Sequence, residues 1–135
     1  MNQDDPQKEW QNRSIIIAED EDSNFKYLQI LLDPTGITIY RANNGIQVMK
    51  LIREHPGVDL ILMDIMIQAM DGLEATRQIR AFNTQVPVIA LTAYAMTDDR
   101  ERSLQAGCND YISKPFSRSR IFSVLGPYLD QGSPG

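Results

Sequence analysis

The chain has 135 residues, a formal net charge of -5, 42% hydrophobic and 23% charged residues, a profile that fits one globular domain and excludes a disordered segment. The acidic balance argues against a nucleic-acid surface, which needs clustered Lys and Arg, and neither an apolar run of membrane-spanning length nor a signal peptide is present. Cys108 is the single cysteine, which excludes an intrachain disulfide and points to a reducing, cytoplasmic compartment.

Met1 to Asn12 is polar and without periodicity, and reads as a tail. Ser14 to Ala18 is a short apolar strand, followed by the acids Glu19, Asp20, Glu21 and Asp22. Ser23 or Asp22 can cap a first helix with Tyr27, Leu28, Leu31 and Leu32 on one face. Pro34 and Gly36 end it, and Ile37 to Tyr40 forms the second strand. Asn43-Asn44-Gly45 turns into a second helix carrying Ile46, Met49 and Ile52, stopped by His55-Pro56-Gly57. His55 is expected to be an exposed helix-end residue. Leu60 to Met63 is an uninterrupted apolar run, short enough for a strand covered on both faces, and it ends on Asp64.

The third helix is expected from Asp71 to Ala81, with Leu73, Thr76 and Ile79 inward, and the fourth strand from Val86 to Leu91, ending at Thr92. Thr97 can cap a fourth helix anchored mainly by Leu104 and ended by Gly107. Asp110-Tyr111-Ile112 makes a short fifth strand, then Lys114-Pro115-Phe116. Ser117 can cap the last helix, with Ile121, Phe122 and Leu125 inside and Gly126-Pro127 disturbing its end. Asp130 to Gly135 reads as a linker, leaving residues 13–129 as the domain. Five strands alternating with five helices give an α/β fold, a doubly wound parallel sheet with helices on both faces.

Polar residues break the apolar pattern at the ends of four strands: Glu19 and Asp20, then Asp64, then Thr92, then Lys114. In a doubly wound sheet of order 2-1-3-4-5, strands one and three are neighbours at the switch point, which brings Glu19, Asp20 and Asp64 together. Two unit charges ~4 Å apart repel by about 4 kcal/mol at an effective dielectric near 20. Such a cluster needs a cation or shifted pKa values, and hard oxygen ligands suit Mg²⁺. With the Lys114 charge and the Thr92 hydroxyl the set suits a phosphoryl group, Asp64 being able to accept it covalently. An acid run, a strand-end Thr and a Lys-Pro pair are each ordinary alone. Their placement at successive, convergent strand ends is not.

These residues carry a resemblance. Ile15-Ile16-Ile17-Ala18-Glu19-Asp20, Leu62-Met63-Asp64 with Met70-Asp71-Gly72, Leu91-Thr92-Ala93, Ala106-Gly107 and Asp110-Tyr111-Ile112-Ser113-Lys114-Pro115-Phe116 together resemble the receiver domain of two-component response regulators and hybrid histidine kinases. The resemblance implies a flavodoxin-like sheet of order 2-1-3-4-5 and makes Asp64 the phosphoacceptor. It implies Mg²⁺ held by Asp20, Asp64 and the Met66 backbone carbonyl, with Glu19 acting through water. Thr92 and Lys114 would contact the phosphoryl group, Tyr111 would be the aromatic switch residue, and Lys114-Pro115 would be cis. The partners would be a histidine kinase domain, a histidine phosphotransfer protein, or both, docking on the first helix, Asn24 to Leu32, with Phe25 and Lys26 on the contact surface.

Three departures stand out. Receivers usually have proline where this chain has Gln68; the acidic pair is Glu19-Asp20, as in hybrid-kinase receivers; and Arg118 and Arg120 begin the last helix where acids are common, against its dipole. Two further readings compete. A phosphatase of the haloacid-dehalogenase kind would require a second Asp two residues after the nucleophile, where Met66 stands. A degenerate receiver used only for docking would have lost Asp64, Asp20 or Lys114, all of which are present. The sequence is compatible with a stand-alone regulator and with a receiver cut from a hybrid kinase, and the Glu-Asp pair favours the second.

Overall fold

The computed structural model describes residues 9–66, 72–83, 85–92 and 97–130, without the side chains of 97–100. Gln68, Asp71, Ala93 and most of both expected tails lie outside the described residues.

The described strands are β1 (Ser14–Ala18), β2 (Thr38–Ala42), β3 (Leu60–Asp64), β4 (Val88–Thr92) and β5 (Asp110–Ser113). They alternate with α1 (Asp22–Leu32), α2 (Gly45–Glu54), α3 (Gly72–Phe82), α4 (Thr97–Ala106) and α5 (Arg118–Leu129). The strands form one parallel sheet in the order β2-β1-β3-β4-β5, as expected. Because strand side chains alternate, Ile15 and Ile17 of β1 enter one core with Leu28, Leu32, Ile121 and Leu125, and Ile16 enters the other with Val48, Ile52, Leu73 and Ile79. Thus α1 and α5 cover one face, and α2, α3 and α4 the other. The central strands β3 and β4 are buried at every residue, which is why they read as unbroken apolar runs.

Several local expectations change. Glu21, not Ser23 or Asp22, occupies the cap position of α1. Ile46 is exposed and Val48 takes the inward place, because Asn44 caps α2 through the Gln47 N–H and sets the rotation of the helix. Leu104 is 43% exposed, and between residues 101 and 106 the inward side chains of α4 are Ser103 and Ala106. His55 is half-buried, its ring stacked on Tyr40 with centroids 4.0 Å apart. Ser117 caps α5 as expected, accepting from the Arg120 N–H.

The described residues just before β1 join the fold. Trp10 is buried against Phe122, and its Nε1–H donates to Asp130 Oδ1 at 2.8 Å, so the residue expected to open a linker fastens the chain start to the end of α5. An indole buries a large apolar area while its N–H takes one partner; the sequence left open whether Trp10 packs back on the domain or stays exposed in a tail, and the first is what occurs.

Candidate functional site

The carboxyl ends of β1, β3, β4 and the segment after β5 meet at one edge of the sheet. Backbone bonds register them: Glu19 N–H donates to Ala42 O, Ile65 N–H to Leu91 O, and Lys114 N–H to Thr92 O. Each apolar strand therefore delivers its first polar residues to the same place.

Glu19, Asp20 and Asp64 each offer a carboxylate oxygen, and these atoms lie within 4.8 Å of one another. Asp64 is buried; Lys114 Nζ lies 3.6 Å from its Oδ2, and the Met66 N–H donates to its Oδ1 at 2.9 Å. Glu19 is buried as well: Oε2 accepts from the Glu21 N–H at 3.2 Å, and Oε1 has no hydrogen-bond partner among the described residues. Burial, and next the Asp64 charge, push the Glu19 carboxyl up to about 7. A buried carboxylate with an unpaired oxygen, facing two other carboxylates, is a group that a cation would satisfy. Carboxylate oxygens with no sulfur or nitrogen among them fit Mg²⁺, and Glu19, Asp20 and Asp64 are the residues that would hold it.

Thr92 is fully buried at the end of β4, paired in register with Ser113, one residue before Lys114. Tyr111 lies farther back on β5, opposite Ala90, half-buried against the α2–α3–α4 core. The Lys114-Pro115 bond is cis. Gln68 lies outside the described residues, and at Met66 the bond to Asp64 runs through the amide while the side chain is exposed.

Two residues have roles at this edge that the sequence reading did not assign. Gly72 opens α3 so close to β3 that a Cβ would sit 2.5 Å from Asp64 O and 2.7 Å from Ile65 Cα. The Asp-Gly pair was visible; the need for glycine is a packing fact. Arg41 of β2 donates from Nε to Glu19 O at 3.1 Å, pairs with Asp22 at 2.8 Å and lies over the Phe25 ring at 4.6 Å. Its only signal was a charge inside an apolar strand. Beside the carboxylates, Asn24, Tyr27, Lys114, Pro115 and Phe116 line a groove of about 550 Å³, where Tyr27 Oη donates to Phe116 O.

Comparison with known proteins gives a consistent result. Residues 15–125 match the family model described as response regulator receiver domain. The chain is 41% identical over 119 residues to the polar-differentiation response regulator DivK of Brucella anthropi, covering 87% of this chain and 96% of DivK. Among solved structures it is similar to the receiver domain of sensor histidine kinase PA1611 from Pseudomonas aeruginosa, which has a magnesium ion coordinated in its active-site cleft; identity is 38%, TM-score 0.80, with 88% of this chain and 98% of that one covered. It is also similar to a complex of the Saccharomyces cerevisiae histidine phosphotransfer protein Ypd1 with the Ssk1 receiver domain, at 29% identity and TM-score 0.82, covering 87% and 89%.

Proposed function

The chain belongs to the response regulator receiver domain family of two-component signalling, and from that premise we propose that Asp64 accepts a phosphoryl group from a phosphohistidine in a Mg²⁺-dependent reaction. The observation that carries this is the convergence of Glu19, Asp20 and Asp64 within 4.8 Å, with Lys114 3.6 Å from Asp64. An Asp64 carboxylate oxygen forms a bond to phosphorus as the donor's P–N bond breaks, and the electron pair returns to the imidazole nitrogen. The Met66 N–H holds Oδ1 in place, and Lys114 is positioned to meet the phosphoryl charge. Mg²⁺, when bound, would neutralise charge on the phosphoryl oxygens. Glu19, Asp20 and Asp64 would hold it, with the Met66 carbonyl as the further ligand.

The protein acts as a signalling phosphoacceptor and not as an enzyme on an external substrate. The added phosphate brings roughly two negative charges. Thr92 would bond it and Tyr111 would re-seat behind Thr92. The donor would be a histidine kinase domain or a histidine phosphotransfer protein in the cytoplasm, docking on α1 and the adjoining groove. Phe25 is half-buried under Arg41, so Lys26, Tyr27 and Ile30 carry the exposed part of that helix. The Glu19-Asp20 pair and the likeness to a sensor-kinase receiver support a hybrid-kinase origin, while coverage of 96% of DivK supports a receiver acting alone; the reading frame around this segment separates the two.

Incubation with acetyl phosphate tests the chemistry. One phosphoryl group per chain should be acquired in Mg²⁺ and none after Asp64→Asn. Equal labelling of that variant would overturn the proposal. Substituting Lys26 should slow transfer from a phosphorylated protein donor while leaving acetyl phosphate labelling intact.

A further inference from the structure

Far from the carboxylates, one side chain fastens the end of α4 to α3. Arg80 donates from Nε to Gly107 O at 2.9 Å, from Nη2 to Asn109 Oδ1 at 2.8 Å, and from Nη1 to Asn83 O at 3.1 Å. Asn109 Oδ1 also accepts from Val88 N–H at 2.9 Å, so the linkage extends to the start of β4. The turn itself is closed by Gly107 N–H to Leu104 O and Cys108 N–H to Ser103 O. Gly107 stands at φ 110, and a Cβ there would lie 2.7 Å from Arg80 Cγ. Glycine is therefore needed both for the backbone and to admit the arginine.

The rest of α4 is held differently. From residue 101 on, its inward side chains are Ser103 and Ala106, and Ser103 Oγ is buried without a hydrogen-bond partner among the described residues. Leu104 is exposed. Among the described side chains of α4, residues 101–106, so little apolar burial leaves the position of this half of the helix to the hydrogen bonds of its last turn, and segments held this way are the ones that re-seat easily. The opposite end of α3 begins at Gly72, in van der Waals reach of the Asp64 backbone. One rigid helix thus spans from the phosphoacceptor to the α4 fastening, about 12 Å along its axis.

We propose that Arg80 is the pivot of the phosphorylation switch, a positioning residue that keeps the carboxyl end of α4 on α3 while the remainder of the helix turns. This rests on the receiver reading above. A change at Asp64 then swings α4 about Gly107 without releasing it.

The test is backbone amide exchange of the whole chain with and without Mg²⁺ and beryllofluoride, which stands in for the phosphoryl group. In the native protein beryllofluoride should alter exchange most in residues 97–103, while the Gly107 and Cys108 amides keep their protection. In Arg80→Ala those two amides should exchange at least about tenfold faster once beryllofluoride is bound, and much less so before, because charged hydrogen bonds that hold the turn against the swing are gone. Arg80→Lys should restore part of the protection, since an ammonium reaches fewer acceptors than a guanidinium fork. Asn109→Asp keeps the acceptor for Val88 and makes its bond to Arg80 charge-assisted, so it should slow exchange at the same two amides, and by a larger factor with beryllofluoride bound than without it; slowing by the same factor in both states would overturn the inference, so the variant decides the matter if Arg80→Ala fails to fold. Acceleration by the same factor with and without beryllofluoride would make Arg80 a purely structural residue and overturn the inference, as would an unaltered Asn109→Asp. If beryllofluoride changes nothing around Asp64 in the native chain, the receiver reading itself falls, and this inference with it.

Discussion

Asp59 and Asp64 stand at opposite ends of the same strand, each facing a cation, and their surroundings differ in kind. Asp59 is satisfied: one oxygen takes the Arg13 guanidinium at 3.3 Å and the other the Ser14 N–H at 2.9 Å. Arg13 also donates to Leu129 O, and Trp10 reaches Asp130 close by. That edge ties the residues just before β1 to the end of α5. Asp64 has Lys114 at a looser 3.6 Å and two more carboxylates beside it, one of them with an unpaired buried oxygen. The lesson is that the company a carboxylate keeps, and not the presence of an Asp–cation pair, separates a structural carboxylate from a reactive one: Asp64 shares its cation with two neighbouring carboxylates, whereas Asp59 has the Arg13 guanidinium and the Ser14 N–H.

Exchanging the two roles is the strongest way to break the comparison. Asp64→Asn should remove phosphoryl labelling altogether while leaving the midpoint of thermal unfolding unchanged or higher, since it relieves repulsion on Glu19. Asp59→Ala should do the reverse, costing about 1–2 kcal/mol in denaturant titration with labelling retained. A stable, fully active Asp59→Ala would show that the far edge contributes nothing.

A substitution that touches neither charge sharpens the comparison. Gly72→Ala would force a Cβ against Asp64 O and Met63 Cγ, and should cost about 1–3 kcal/mol and slow labelling by shifting the end of β3. Wild-type labelling rates in that variant would mean that α3 can move aside freely.

Smaller effects follow from charge. A cation that binds only the folded chain should stabilise it by about 2.7 kcal/mol at a hundredfold excess over Kd. The Glu19 carboxyl is raised from 4.5 to about 7, so the native state holds this proton more tightly than the unfolded chain. The stability it contributes is present below the unfolded value and lost as pH rises through the native one. The metal-free protein should therefore lose stability between about pH 5 and pH 8, and the gain from Mg²⁺, read by calorimetry, should be larger at the upper end. A gain that does not grow with pH would mean that Glu19 is not at the metal.

Much of this was legible in the sequence, for a physical reason. Buried parallel strands read as apolar runs, and the residue that breaks each run is the one delivered to the sheet edge; Asp64, Thr92 and Lys114 were found that way. Helix rotation was harder. Leu104 was taken as the anchor of α4 on apolar character alone and is exposed, and nothing in the apolar pattern of α2 told that Ile46 would be exposed and Val48 buried, which the Asn44 cap settles. Trp10, Arg41 and Arg80 gave little signal because their partners, the Asp130 carboxylate, the Glu19 carbonyl and the Gly107 carbonyl, are remote in sequence. Contacts of side chains with distant backbone leave no periodic trace.

The smallest expected effect is at Cys108. Burial pushes its thiol up, and Thr76 Oγ1 lies 3.7 Å away, so iodoacetamide should leave it unmodified in the native state and modify it on unfolding. Ready alkylation of the folded chain would show that the α3–α4 seam opens.

The central claim, that the carboxylate at the centre of the crowded cluster, Asp64, is the reactive one, is tested most directly by locating the phosphoryl group. After labelling with acetyl phosphate in Mg²⁺, borohydride reduction converts an aspartyl phosphate to homoserine, which peptide mass spectrometry places in the chain. Homoserine should appear at position 64 alone, and not when EDTA is in excess. Homoserine at position 20 or 59, or equal modification in EDTA, would contradict the account.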